Sequence, residues 1–300
     1  MSSDCPGGAG LSGDFFRGLC GHTYWCNDEP QENRSFRHGD IVFCKIDEVW
    51  RLFRALRRTR CRVVLVTGEG DKPVDPALWM RRPPQVAAWW GTNMGVVAAE
   101  ARGLPLGLGN AAGRKTITLG EIREARTRSS TRDLALYANF SPHSNRGLRE
   151  PLRRWLLEPA QSWITQGNYN GDSGRLSYLT ELLRHRFVLC PPGNGEDTHR
   201  FWESLYAGAF PVIRRSVAMD HFSAVPALVL GDLRDVNENM LRDFAERHGQ
   251  APADCDFLEL AFWQKAFDRD RTVAKLRGRL SLPEWASGWW REFRSVLRHR

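Results

Sequence analysis

The chain lacks any apolar run approaching the roughly 18 residues that a membrane-spanning helix requires. Its first residues, Met1-Ser-Ser-Asp-Cys-Pro-Gly-Gly, carry neither the basic stretch nor the apolar stretch of a signal peptide. The expectation is a cytoplasmic protein, neither secreted nor membrane-spanning. Cysteine is sparse and scattered: seven residues, at 5, 20, 26, 44, 61, 190 and 255, with no C-x-x-C and no His pair at zinc spacing. That pattern excludes a zinc module, and the thiols read as reduced. No internal repeat is present, and no nucleic-acid-binding signature accompanies the basic residues. The glycosylation sequons Asn33-Arg-Ser35 and Asn139-Phe-Ser141 are silent in a cytoplasmic protein.

What is abundant is positive charge, +8 overall, with an isoelectric point near 9.4. Without a nucleic-acid fold, the partners that suit such a field are a nucleotide diphosphate and an anionic membrane surface. The clusters Arg54-Arg57-Arg58-Arg60, Arg81-Arg82 and Arg153-Arg154 read as solvated helix faces and turns. The tail from Trp285 to Arg300 interleaves aromatic and basic residues at helical spacing. It is expected to close back on the first domain, with peripheral membrane contact as the alternative.

Three hundred residues exceed one ordinary core, so two domains of about 100–200 residues are expected. Along the chain, short apolar runs alternate with helical spacing, which favours an α/β fold. Ile41 to Phe43 reads as a strand, and Val49, Leu52, Phe53 and Leu56 mark a helix from Ile46 to Arg58. Strands follow at Arg62 to Thr67, which ends in the turn Gly68-Glu69-Gly70-Asp71, at Gln85 to Trp89, and at Leu104-Pro-Leu-Gly. From Gly113 to Asp133 the chain is charged, with Ile117, Leu119 and Ile122 its main apolar positions, and reads as an interdomain connection. Beyond it come a strand at Leu134 to Asn139, helices at Leu148 to Thr165 and Arg175 to His185, a strand at Ala227 to Leu230 and a helix at Val236 to His248. The division this implies is 1–128, 129–280 and a closing helix over 281–300.

The stretch from Phe187 to Ile213 concentrates the most information. Phe187, Val188, Leu189 and Cys190 form a short apolar run of parallel-sheet type. Pro191-Pro192-Gly193-Asn194-Gly195 stops the strand and frees the backbone for close approach to a ligand. Glu196, Asp197 and Thr198 lead a helix to about Tyr206, with Asp197 as N-cap, and the helix start favours an anion. Ala207-Gly208 ends it, and Phe210-Pro211-Val212-Ile213 re-enters a sheet.

This pattern, CPPGNGEDTHRFWESLYAGAFPVI, resembles the donor-binding signature of exostosin-like glycosyltransferases of family 47 and their bacterial relatives. Val86-Ala-Ala-Trp-Trp-Gly-Thr-Asn93 with Gly103-Leu-Pro-Leu-Gly-Leu-Gly-Asn110 is similar to an acceptor-side segment of those enzymes. Leu134 to Arg146 is similar to the strand and turn opening their second domain. The resemblance implies the GT-B architecture, two Rossmann-like doubly wound domains facing a cleft. It implies inverting transfer of a sugar from a nucleotide diphosphate sugar to a hydroxyl of a glycan or glycolipid.

In such enzymes the charge growing on the departing diphosphate is met either by a divalent metal or by helix dipoles and arginine. The letters Asp254-Cys255-Asp256 and Asp268-Arg269-Asp270 fall in helix or loop rather than at a strand end, so no essential metal and no cofactor are expected. By the resemblance, Glu203 holds the nucleotide ribose. Arg200, His199, Thr198 and Arg146 are candidates for the diphosphate, with Arg214 and Arg215 as alternatives; Gly193, Asn194 and Gly195 supply backbone access. The candidate base is Asp71, then Glu69, both at a strand end of the first domain, with Asn93 and His22 as weaker choices. A non-catalytic nucleotide- or glycan-binding subunit descended from such an enzyme is the other reading.

Overall fold

The computed structural model describes residues 10–26, 29–30, 35–110, 117–128, 132, 134–167, 173–249, 251–252 and 256–285. In chain order the elements begin with α1 (Gly13–Gly18), β1 (His22–Cys26), β2 (Glu29–Pro30), β3 (Ile41–Lys45), α2 (Val49–Arg57), β4 (Val63–Gly68), α3 (Pro76–Met80), β5 (Val86–Gly91) and β6 (Ala101–Gly103). They continue with α4 (Leu119–Arg128), β7 (Leu134–Ala138), α5 (Arg146–Leu156), β8 (Ile164–Gln166), α6 (Ser173–Arg184), β9 (His185–Leu189) and α7 (His199–Ala207). The last are β10 (Phe210–Arg214), α8 (Val217–Asp220), β11 (Leu228–Leu230), α9 (Glu238–His248) and α10 (Leu260–Leu276). Among the described residues these strands make two sheets, ordered β2-β1-β3-β4-β5-β6 and β11-β10-β9-β7-β8. Every pairing is parallel except the antiparallel contact of β1 with β2.

The α/β expectation therefore holds as two parallel, Rossmann-like sheets, each in its own compact unit. One unit comprises Phe15–Leu104 and Ala261–Arg300; the other comprises Met1–Asp14 and Pro105–Leu260. The boundaries differ from the expected 128/129 and 280/281. The stretch read as an interdomain connection contains α4, whose start is locked by reciprocal bonds between Thr118 and Glu121. Ile117, just before α4, and Leu119 and Ile122 on it are all buried, so these three apolar positions were packed against the core.

The first-sheet unit is built on β4 and β5, whose residues are buried on both faces, as a central parallel sheet demands. Trp89 stacks on Trp79 and meets Phe53 edge-on on one side. Trp90 meets Trp263 and Phe267 of α10 on the other. Chain return to this unit thus starts at α10, ahead of the expected 281. Leu280 is fully buried and bonds to Arg60, and the Trp285 indole donates to the Arg57 carbonyl; residues 286–300 lie outside the described set. The expected strand at Leu104-Pro-Leu-Gly is displaced to β6, because Pro105 cannot donate to a ladder.

In the second-sheet unit, Leu136, Phe187, Leu189, Phe210 and Val212 form the inner layer, with Leu152, Leu156 and Phe244 covering it. The helix expected from Leu148 to Thr165 ends at Leu156 and gives way to the unanticipated strand β8. Three apolar residues at Leu152, Leu156 and Ile164 could not reveal that the last faces a sheet neighbour rather than a helix neighbour. Cys20, Cys44, Cys61 and Cys190 are free thiols, and burial pushes the Cys190 thiol up to about 12. Cys5 and Cys255 lie outside the described residues, as does Asn33. Asn139 is buried, which removes its sequon from reach of any modifying enzyme.

Gly107 has φ +67°, and a Cβ added there would stand 2.3 Å from the Leu11 carbonyl oxygen. Gly107→Ala should therefore lower the unfolding free energy by about 2 kcal/mol or more, which urea denaturation will measure.

Candidate functional site

Chain order reverses direction within the second sheet between β7 and β9: β8 lies to one side of β7, and β9, β10 and β11 follow on the other. A crevice opens at the carboxyl ends of the strands where such a reversal occurs. Two loops border it, residues 139–145 after β7 and 190–198 after β9.

Arg149 on α5 ties the two loops together. It is 5% exposed, and its Nε donates to the Pro192 carbonyl and its Nη2 to the Pro191 carbonyl, both at 2.9 Å. Its Nη1 donates to the Ser141 carbonyl at 3.0 Å and the Ser144 hydroxyl at 3.2 Å. A rigid five-donor fork is the side chain able to satisfy four acceptors spread over two loops. Gly193 is confined by the same guanidinium, since a Cβ there would lie 3.3 Å from Nη2. Sequence reading passed over Arg149. The available signal was its place on the inward stripe Arg149-Leu152-Leu156, where a charge requires buried partners.

The turn itself differs from the expected N-cap arrangement. α7 starts at His199 with Thr198 as its N-cap, and the Thr198 side chain makes no capping bond. Asp197, expected to cap, is instead 3% exposed. Its carboxylate accepts from the Trp202 indole at 2.9 and 3.0 Å and from the Leu106 amide at 2.7 Å. Burial raises its pKa to about 6 against those stabilising bonds. His199 Nδ1 donates to the Gly107 carbonyl at 2.8 Å, so this face of the ring is spent on holding the 105–110 loop rather than a diphosphate. Pro105–Asn110 accordingly belongs to the second-sheet unit while Asn93 belongs to the other; the two halves of the segment read as acceptor-side are divided.

Gly193, Asn194 and Gly195 occupy the loop after β9, Gly195 buried and Asn194 exposed. Arg146, at the first position of α5, is exposed. Arg200, in the first turn of α7, has a buried Nε without a hydrogen-bond partner. Near it, Glu203 is 8% exposed and accepts from the Tyr178 hydroxyl at 2.6 Å. Burial, reinforced by Glu203, holds the Tyr178 phenol well above its usual range, so it stays a donor. Tyr178 was missed because its hydroxyl finds Glu203 only through tertiary contact, twenty-five positions along the chain. Among the alternatives, Arg214 bonds Glu196 at 2.9 Å and Arg215 is exposed.

The proposed bases lie in the first-sheet unit. Glu69 has φ +56° and its carboxylate pairs with Arg17 at 2.7 Å; Asp71 is exposed. Asn93 is a buried turn residue with φ +56° whose carbonyl accepts from Val74, and His22 pairs with Asp40 at 3.0 Å. Asp270 is buried on α10 and paired with Arg102, while Asp254 lies outside the described residues. Among the described residues no group of three or more His, Cys, Asp or Glu side chains could hold a metal ion.

Two measurements follow from this geometry. Arg149→Ala removes the guanidinium donors from two buried proline carbonyls and should cost about 3 kcal/mol, read by urea denaturation. Asp197 binds a proton more tightly folded than unfolded, so its contribution to stability is fully present below pH 4 and is lost as pH rises to about 6. Over that window the loss is about 3 kcal/mol. Asp197→Asn, which keeps an acceptor for Trp202, should flatten the fall when unfolding is measured across pH 4–7.

No protein-family model matches the chain, and no curated protein matches it. Among solved structures it is similar to the crystal structure of alpha,alpha-trehalose 6-phosphate synthase from Burkholderia multivorans. The two share 11% identity over 88% of this chain and 73% of that one, with a TM-score of 0.35.

Proposed function

We propose that the chain is a glycosyltransferase of GT-B type, exostosin-like, which uses a nucleotide diphosphate sugar and needs no essential metal. The observation that supports it best is the convergence at one switch point of the α7 N-terminus, the unpartnered Nε of Arg200 and the buried Glu203–Tyr178 pair. A helix start and a guanidinium suit a diphosphate, and a buried carboxylate suits a ribose diol.

In this reading the acceptor hydroxyl attacks the anomeric carbon with inversion while the bond to the diphosphate breaks. The α7 amides and Arg200 stabilise the leaving anion. Arg146, exposed at the head of α5, adds positive charge from the loop after β7. The proposed base is Asp71, with Glu69 already engaged by Arg17. The acceptor is a glycan or glycolipid, and the charge of +8 favours contact with an anionic inner-membrane face. No helix among the described residues is long and apolar enough to cross a membrane. The Arg17–Glu69 pair also favours the second reading, a non-catalytic nucleotide- or glycan-binding subunit, because it occupies one of the two candidate bases.

Thermal shift with nucleoside diphosphates and their sugars, with and without chelator, tests the site. Stabilisation by one nucleotide should survive chelation, and Arg200→Ala should weaken it about tenfold or more. Glu203→Gln should weaken the nucleotide more than its 2′,3′-dideoxy analogue. Unchanged affinity in both folded variants would remove the donor site from this crevice, and binding without turnover would select the non-catalytic reading.

A further inference from the structure

On the α5 side of the second sheet lies a cavity of about 550 Å³, within the roughly 300–1,000 Å³ of small-molecule sites. Its polar wall is Asn145, Arg214, Asp232 and Arg234, and its apolar wall includes Leu148 and Leu233. It adjoins the crevice through two contacts with the loop after β9. Arg214 Nη2 meets Glu196 Oε1 at 2.9 Å, and Asn145 Nδ2 donates to the Pro192 carbonyl at 3.5 Å.

The cavity holds two arginines, yet its charge is balanced. Arg234 grips Asp232 through its Nε and Nη2. That grip, with help from Arg214, holds the Asp232 carboxyl down at about 2, so Asp232 is ionised at any working pH. Arg214 is matched by Glu196 in the same way. The Arg214 pair is incompletely satisfied: Arg214 Nε and Glu196 Oε2 are both buried with no hydrogen-bond partner. A wall of paired charges beside apolar side chains suits an uncharged polyhydroxylated ring. A carboxylate entering it would gain Arg214 only at the expense of Glu196, placing two anions on one guanidinium.

We propose that this cavity is a sugar subsite selective for an uncharged ring, in which Arg214 contacts the sugar and Glu196 is a positioning residue that neutralises it against uronates. It deepens the glycosyltransferase reading and rests on it for the identity of the sugar as substrate. Glu196 lies in the turn before α7, so the same loop that borders the proposed diphosphate site would set the sugar's charge class.

The test uses the purified full chain and two probes, methyl β-glucoside and methyl β-glucuronide, compared by saturation-transfer NMR, with nucleoside diphosphate binding measured on the same samples. Wild type should saturate the glucoside and leave the glucuronide at least tenfold weaker. Glu196→Gln, which frees the Arg214 charge while keeping the side-chain size, should reverse that order, and Arg214→Ala should abolish both signals. Equal saturation of the two probes, no saturation of either, or an unchanged order in Glu196→Gln would overturn the proposal. Nucleotide binding without sugar discrimination would sink the cavity alone; sugar discrimination without nucleotide binding would sink the donor reading alone.

Discussion

One buried cation organises the second-sheet unit. Arg149 donates to three backbone carbonyls and a serine hydroxyl. Charge-assisted bonds to carbonyls in a dry setting are stronger than neutral ones. Two proline carbonyls in succession have no ladder in which to find partners, since the strand β9 has already ended at Leu189. The guanidinium supplies them, and by reaching Ser141 and Ser144 it also fixes the loop that feeds α5. The switch-point crevice keeps its shape because both of its borders hang on one side chain.

A second set of contacts locks the other side of the turn. Asp197 carries the Leu106 amide and the Trp202 indole, and His199 carries the Gly107 carbonyl. Both residues could serve an anion or a helix cap when read from sequence, and both are used to hold a neighbouring loop. Leu108 completes the arrangement by donating to Leu11 at 2.7 Å, with Gly107 in the left-handed region to let the backbones approach. Arg200 and Glu203 on α7, with Tyr178 of α6 bonded to Glu203, are left outside these two sets of contacts. The cavity on the far side of the turn meets the same loop through Glu196, so one short segment carries ties to Arg149, to the 105–110 loop and to Arg214.

Much of the fold was readable in the chain. The runs at Ile41, Val63, Val86, Leu134, Phe187 and Phe210 are continuous and apolar because both faces of a parallel sheet are buried, and each became a strand within a few residues of its expected place. Gly208, which ends α7 with φ +81°, was likewise legible, since glycine adopts that conformation at little cost. The failures cluster where periodicity is short or shared: β8 has three residues, and the stretch before β7 hides a helix behind its charge.

The amino-acid sequence by itself determined the class of the protein, two α/β units, and the strand–turn–helix–strand passage that carries the candidate site. Those features depend on local spacing, on glycine and proline at definite positions, and on apolar runs of fixed length. Only the tertiary structure decided which polar residues are spent on holding the fold. Asp197 and His199 differ from Arg200 and Glu203 in nothing that neighbouring residues reveal, because burial and hydrogen-bond partners come from segments up to about ninety positions away. The free energy of a buried polar group is set by those distant partners, and the chain acquires them only when it folds.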